Sequence, residues 1–382
     1  MGILYALEAI RNPVLNAVML VVTYFGSEWL FIAAALIVYW CVRKKYGYYL
    51  MATGMIGTTV CQVLKISCRV PRPWIRDPEF TPVEAALSDA RDYSFPSGHT
   101  QNVTSILGGV ARFTKKKAVR IVCIVIVALV AFSRMYLGVH YPTDVLTGLV
   151  CGLVLVFGLY PIFEQYEENP RGLVIVFGAT AVFALAAALV VEFRSWPEDI
   201  DSARLAETVK TLNMMFGCTA AVAISAPIER KKIRFDTKAP LWAQVLKVVL
   251  GLILVVGLRA ALKPPLRLIF GGLGIADGIR YGLVVAFAIL VWPLTFPWFA
   301  KGCPLGRTVK TILKIVGIVL LILVVLIGAL LCWLGGYNIS RIFTVVGVGT
   351  IITAFFMGPL IEFFNVHVAR PFLNSRFLEG KD

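Results

Sequence analysis

The chain has 382 residues, of which 59% are hydrophobic and only 15% are charged, with a mean hydropathy of +0.82. This composition excludes a soluble globule with a polar surface, a disordered chain and a nucleic-acid-binding protein. We therefore expect an all-α, polytopic transmembrane helical bundle. The 37 Lys and Arg residues outnumber the 22 Asp and Glu residues, and in such a protein the excess is expected in short cytoplasmic loops.

Long apolar runs predict the membrane-spanning helices in chain order. Residues 1–16 are expected to form an amphipathic helix that lies on the membrane surface. Eleven spans are predicted near residues 28–42, 47–67, 98–113, 118–138, 142–162, 171–193, 206–226, 240–262, 277–298, 311–335 and 341–365. The first of them is short for a bilayer unless it extends back through Phe25-Gly26-Ser27.

Clusters of basic residues fall in alternate connections between these spans. The clusters are Arg43 to Lys45, Arg112 with Lys115 to Lys117, Arg230 to Lys232, and Lys301 to Lys314. The positive-inside rule assigns these connections to the cytoplasm. The sequence therefore predicts a multi-pass protein of the cell membrane whose functional residues lie in the other connections, on the extracytoplasmic side.

Two outward segments carry residues suited to binding an anion. The segment Lys65-Ile66-Ser67-Cys68-Arg69-Val70-Pro71-Arg72-Pro73 places three cations at a helix end, where Lys and Arg also occur for structural reasons. The segment Tyr93-Ser94-Phe95-Pro96-Ser97-Gly98-His99 opens the next span. There Ser97 is a suitable N-cap, and Gly98 lets an anion approach the free N–H groups of a helix N-terminus.

A third outward segment combines Ser133-Arg134 with His140 and Asp144. Pro142 suits the first turn of a helix, and residues four apart share a helical face. The Asp144 carboxylate can therefore hydrogen-bond one imidazole nitrogen of His140 and leave the other free as a nucleophile. By contrast, we expect the acidic residues that precede the second segment to form a solvated loop: Asp77, Glu79, Glu84, Asp89 and Asp92.

Taken together, the three segments resemble the signature of the type 2 phosphatidic acid phosphatase family. That signature consists of Lys-x6-Arg-Pro, Pro-Ser-Gly-His and Ser-Arg-x5-His-x3-Asp, in this order. Lys65 to Pro73, Pro96 to His99 and Ser133 to Asp144 match it at every specified position. Because so many residues are fixed in type and spacing, the match is highly specific; the resemblance covers about residues 1–165.

The resemblance implies a role for each matching residue. His140 would attack phosphorus to form a phosphohistidine, Asp144 would orient it, and His99 would protonate the leaving oxygen and then activate water. The substrate phosphate would be bound by Lys65, Arg72, Ser97, Gly98 and Arg134. The implied reaction is metal-independent and needs no cofactor. The implied substrate is a lipid phosphate or a prenyl pyrophosphate, taken from among the membrane lipids by a helical bundle that is open sideways at its outer rim.

Three other functions compete with lipid phosphate hydrolysis. Vanadium-dependent haloperoxidases carry the same segments, but their soluble character conflicts with this composition. A lipid phosphotransferase would use the same residues with an alcohol or sugar as acceptor. A transporter or flippase with a vestigial site is suggested by the many spans, although the ionisable residues cluster in outer loops rather than within spans.

The sequence also predicts a division into two halves. Residues 1–165 would form the catalytic membrane domain, with its N-terminal amphipathic helix, and residues 166–382 an accessory transmembrane domain. Phe216-Gly217 followed by Arg230 to Lys232 is similar to Phe25-Gly26 followed by Arg43 to Lys45. The second half is therefore either a degenerate, inactive repeat of the first or an unrelated set of spans in which short motifs recur by chance.

Overall fold

Helices are the only regular elements in the parts of the chain that the computed structural model describes, which are residues 1–197, 200–271 and 273–301. The α-helices are α1 (Gly2–Ala9), α2 (Pro13–Thr23), α3 (Glu28–Ile37), α4 (Lys44–Cys68), α5 (Pro73–Arg76), α6 (Gly98–Val103), α7 (Gly109–Phe113), α8 (Lys117–Tyr136), α9 (Pro142–Glu164), α10 (Arg171–Phe193), α11 (Ser202–Ile228), α12 (Leu241–Phe270), α13 (Gly274–Ala286) and α14 (Phe296–Lys301). Short π-helical turns extend α3 to Val42, α11 to Ile233 and α13 to Val291, and Thr104–Gly108 joins α6 to α7. The predicted all-α membrane protein is confirmed.

Within the described residues, seven helices are long and apolar enough to cross a membrane, or eight if one bent pair counts as a single span. The bent pair is Pro13–Gly26 with Glu28–Val42, whose axes differ by 49°. The short first span is thus preceded by the helix α2. The predicted surface helix is divided in two, because α2 begins at Pro13 with Asn12 as its N-cap.

The predicted span over residues 98–113 differs most from expectation. It consists of α6, a π-helical turn and α7, and it is not among the helices that are long and apolar enough to cross a membrane. Its polar side chains are buried against the rest of the bundle: Gln101 donates to the Ser105 hydroxyl, which in turn donates to the Thr53 carbonyl of α4. This segment is therefore surrounded by protein, and it needs neither the length nor the apolar surface of a lipid-facing helix.

Helix α4 lies at the centre of the described bundle. It packs against α3, α6, α9, α10 and α11, and most of its side chains are buried. The outer helices α8, α9 and α12 instead expose many large apolar side chains, as a surface in contact with lipid requires. Helix α11 packs closely against both α10 and α13.

The directions of the helices bring all three sequence segments to one end of the bundle. Helices α4 and α8 run towards that end, with Lys65 and Arg134 in their last turns, and α6 and α9 start from it. The connection between α10 and α11 lies at this end too. The basic clusters at Arg43 to Lys45 and Arg112 to Lys117 lie at the opposite ends of the same helices.

Residues Met1–Leu294 form one compact unit, and the described residues Thr295–Lys301 lie outside it. The predicted spans over residues 311–335 and 341–365 lie outside the described residues. The division at residue 165 and the degenerate repeat therefore stay predictions.

Candidate active site

The turn between α8 and α9 positions His140. Gly138 adopts a φ of +77°, a left-handed conformation that favours glycine, and it reverses the chain after α8. Pro142 then starts α9, so that Asp144 occupies the first turn of this helix. His140 Nδ1 lies 3.3 Å from Asp144 Oδ2. A proton shared along this contact leaves the lone pair on Nε2.

Asp144 is held in place by contacts other than His140. Its Oδ2 atom accepts hydrogen bonds from Ser94 Oγ at 2.5 Å and from the Tyr141 N–H at 2.9 Å. The Asp144 carbonyl accepts from the Ser97 N–H at 3.0 Å, which ties α9 to the start of α6. This close approach requires Gly148, because a Cβ there would lie 2.6 Å from the Ser97 carbonyl oxygen. The carboxylate is therefore fixed before any substrate binds.

Arg72 is buried, and its side chain reaches His140 from the other side. Its Nη1 atom lies 3.0 Å from His140 Nε2 and donates to the Val139 carbonyl at 2.8 Å. The guanidinium thus directly adjoins the imidazole nitrogen that carries the lone pair. Arg72 also caps the short helix α5, which begins at Pro73.

An acidic side chain binds the two cations of the first segment. Asp92 Oδ2 lies 2.6 Å from Lys65 Nζ, and Asp92 Oδ1 lies 2.6 Å from Arg72 Nη2. Burial by itself would raise the pKa of the Asp92 carboxyl, but the adjacent Lys65 and Arg72 hold this pKa below its ordinary value. Asp92 is therefore ionised at neutral pH, and the prediction that it belongs to a solvated loop is wrong.

Arg134 is a third buried cation, and it is only partly satisfied. Its Nη1 atom donates to Thr23 Oγ1 at 2.8 Å, whereas its Nε and Nη2 atoms have no hydrogen-bond partner among the residues that the structure describes. The side chain is 1% exposed. A buried guanidinium without an anion is costly, and these two nitrogens can still donate hydrogen bonds.

Helix α6 presents its N-terminus at the same place. Ser97 is the N-cap, as predicted, and its hydroxyl accepts from Thr100. Its N–H donates to the Asp144 carbonyl, and its hydroxyl oxygen is an acceptor within the protein. The N–H groups of Gly98 and His99 have no acceptor within the helix. A Cβ on Gly98 would meet nothing within 4 Å, so there is open space beside it.

A cavity of about 780 Å³ connects these groups. Lys65, Arg72, Gly98, His99 and His140 line it. The structure thus brings five of the eight predicted site residues to one cavity, while Ser97, Arg134 and Asp144 are buried beside or behind it. One wall of the cavity comes from the second half of the chain, through the first turns of α11.

Burial is the main influence on His140, which is 2% exposed. It holds the pKa of His140 well below the ordinary value, and the positive charges of Arg72 and Arg134 act in the same direction. The imidazole is therefore neutral near pH 7. A neutral imidazole keeps one unprotonated ring nitrogen, and this is the form that can act as a nucleophile.

Sequence reasoning missed three residues of this site, namely Asp92, Ser94 and Arg204. Asp92 immediately precedes the second segment and Ser94 lies within it, and these positions were the available signal. Arg204 lies in α11 and lines the cavity, and nothing in its sequence neighbourhood indicates the site. Among the described residues, no group of three His, Cys, Asp or Glu side chains is arranged to hold a metal ion.

Fold and site together define a polytopic helical membrane protein with a buried histidine in a cationic pocket suited to phosphate. Comparison with known proteins gives its family. Residues 44–168 match the model of the PAP2 superfamily, and residues 213–304 match that of the PAP2 superfamily phosphatase, transmembrane extension. The chain belongs to the PAP2 superfamily, which confirms the resemblance of its three segments. No solved structure matches the chain.

Its relatives include three bacterial and archaeal phosphatases. Phosphatidylglycerophosphatase B of Bacillus subtilis (strain 168) is 35% identical over 39% of this chain and 75% of its own length. Undecaprenyl-diphosphatase BcrC of the same organism is 29% identical over 42% of this chain and 79% of its own length. Undecaprenyl-diphosphatase of Sulfolobus acidocaldarius is 32% identical over 37% of this chain and 68% of its own length.

Proposed function

We propose that this protein hydrolyses a lipid phosphate or prenyl pyrophosphate through a phosphohistidine at His140. The observation that carries the proposal is the environment of this one side chain. Its Nδ1 faces the Asp144 carboxylate, its Nε2 faces Arg72, and it lines a cavity together with Lys65 and His99. One imidazole nitrogen is thus held by a carboxylate, and the other lies beside cations that can bind phosphate. This arrangement suits nucleophilic attack on phosphorus.

The reaction proceeds in two steps on the residues present. In the first, the His140 Nε2 lone pair forms a bond to phosphorus while the bond to the leaving oxygen breaks and His99 gives that oxygen a proton. In the second, His99 takes a proton from water, the water oxygen bonds to phosphorus, and the P–N bond breaks to release phosphate. Lys65, Arg72 and Arg134 stabilise the negative charge on the phosphoryl oxygens in both steps.

The relatives support this substrate class, because their names specify a phosphatidylglycerophosphatase and undecaprenyl-diphosphatases. We expect a panel of phosphatidylglycerophosphate, phosphatidate, undecaprenyl pyrophosphate and a sphingoid phosphate to identify at least one substrate from which the purified protein releases phosphate. The panel should be run in excess chelator, because the proposed chemistry needs no metal. If the folded protein releases phosphate from none of these substrates, the proposed function is contradicted.

We propose that the site faces the extracytoplasmic side of the cell membrane, because the basic clusters lie at the opposite helix ends. In a variant without the native cysteines, including the exposed Cys68, a cysteine at Ser88 should react with a membrane-impermeant thiol reagent in intact cells. A cysteine at Ala118, in the first turn of α8, should react only after permeabilisation. The reverse labelling pattern would place the site in the cytoplasm.

A further inference from the structure

The two cations of the first sequence segment have an anionic partner within the protein itself. The Asp92 carboxylate places one oxygen 2.6 Å from Lys65 Nζ and the other 2.6 Å from Arg72 Nη2. The Lys65 and Arg72 side chains are 7% and 2% exposed, whereas that of Asp92 is 25% exposed. The carboxylate therefore approaches the buried cations from the cavity, which is also the route for a substrate.

Such an arrangement offsets the cost of burying the two cations. Cations buried without an anion are costly, so a site that must be free of ligand between turnovers needs an internal counter-charge. A carboxylate offers two oxygens and one negative charge. A phosphate group offers more oxygens and up to two negative charges, and it can therefore displace a carboxylate from the same donors.

We propose that Asp92 occupies the phosphate-binding cations of the empty site and gives them up when the substrate phosphate binds. Substrate binding is then an exchange of one anion for another, and the return of Asp92 favours release of the product phosphate. The inference rests on the proposed function, because it takes Lys65 and Arg72 to be the cations that bind the substrate.

The main chain allows this exchange without disturbing the cations. Arg72 Nε donates to the Asp92 carbonyl at 2.9 Å, and Lys65 Nζ lies 3.3 Å from the Tyr93 carbonyl oxygen. These contacts do not involve the Asp92 carboxylate. Rotation of its side chain alone would therefore release both cations while the backbone still holds them in position.

The test is direct binding of inorganic phosphate and of vanadate to the full-length protein in detergent. We expect Asp92→Asn to bind both anions about tenfold or more tightly than the wild type, because a competing negative charge has been removed from the same donors. The matched control is Asp89→Asn. Asp89 lines the same cavity and carries the same charge, but it is not within ion-pair distance of any cation in the described part of the chain.

Three outcomes are distinguishable in this experiment. Weaker anion binding by Asp92→Asn would show that the carboxylate positions Lys65 and Arg72, and would overturn the inference while the proposed function stands. An equal gain in both variants would reduce the effect to general electrostatics and would also overturn it. Absence of anion binding in all three proteins would instead contradict the proposed function. Asp92→Ala is a second variant that shows whether the side-chain amide of the asparagine itself affects anion binding. Both Asp92 variants should have an unchanged unfolding temperature.

Discussion

His140→Ala is expected to lower the rate of phosphate release by about 10⁴-fold or more, because it removes the atom that forms the covalent intermediate. The fold should persist. Asp144 retains its hydrogen bonds from Ser94 and Tyr141, and Arg72 retains those to Asp92 and Val139. The measurement is phosphate release by purified protein, with the unfolding temperature as the check on folding.

A glutamine at position 140 is the matched control for the alanine. It keeps a polar side chain beside Arg72 but cannot carry a phosphoryl group through an imidazole nitrogen. Both variants should therefore be inactive and both should be folded. Activity of the glutamine variant within tenfold of the wild type would show that position 140 serves only to support Arg72.

Arg134 should show opposite effects on activity and stability. We expect Arg134→Met to lower kcat/KM by about 10²-fold to 10³-fold, as the loss of a charge-stabilising donor does in other enzymes. The same substitution should leave the unfolding temperature of the empty protein unchanged or raise it. The reason is that the buried guanidinium has two nitrogens without a partner among the described residues, and replacing it by an apolar side chain of similar length removes a desolvation cost.

Arg120, on the same helix, provides the contrasting control. It donates to the carbonyls of Ala111 and Thr114, at the opposite end of the bundle from the site. Arg120→Met should therefore lower the unfolding temperature and leave kcat/KM unchanged. If Arg134→Met were instead destabilising and fully active, Arg134 would be a structural residue rather than a ligand of the phosphate.

Much of the architecture could be predicted because lipid imposes a simple rule on the sequence. A helix that faces lipid must be long and continuously apolar, so α8, α9, α10 and α12 are found where their apolar runs predict them. Residues 98–113 are an exception to this rule, because they are surrounded by protein and do not face lipid. Their polar groups are satisfied by neighbouring helices, and such contacts cannot be deduced from the composition of one segment.

The candidate site was predicted only as far as local spacing reaches. The contact of His140 with Asp144 could be predicted, because residues four apart in the sequence lie on the same face of one helical turn. Asp92 and Arg204 depend on long-range packing. Asp92 meets Lys65 across 27 residues, and Arg204 reaches the cavity because α11 packs against α4. An acidic loop and a surface-like arginine give no sign of such contacts in the sequence.

The central claim is that His140 carries the phosphoryl group, and trapping this intermediate tests it most directly. The His99→Ala variant should form the intermediate but hydrolyse it slowly, because His99 is the group that activates water. Brief incubation with a substrate whose leaving group needs no proton, such as an aryl phosphate, followed by an alkaline quench and peptide mass spectrometry, should find phosphate on His140. Phosphate on another residue, or no protein-bound phosphate in a variant that still releases product, would contradict the account.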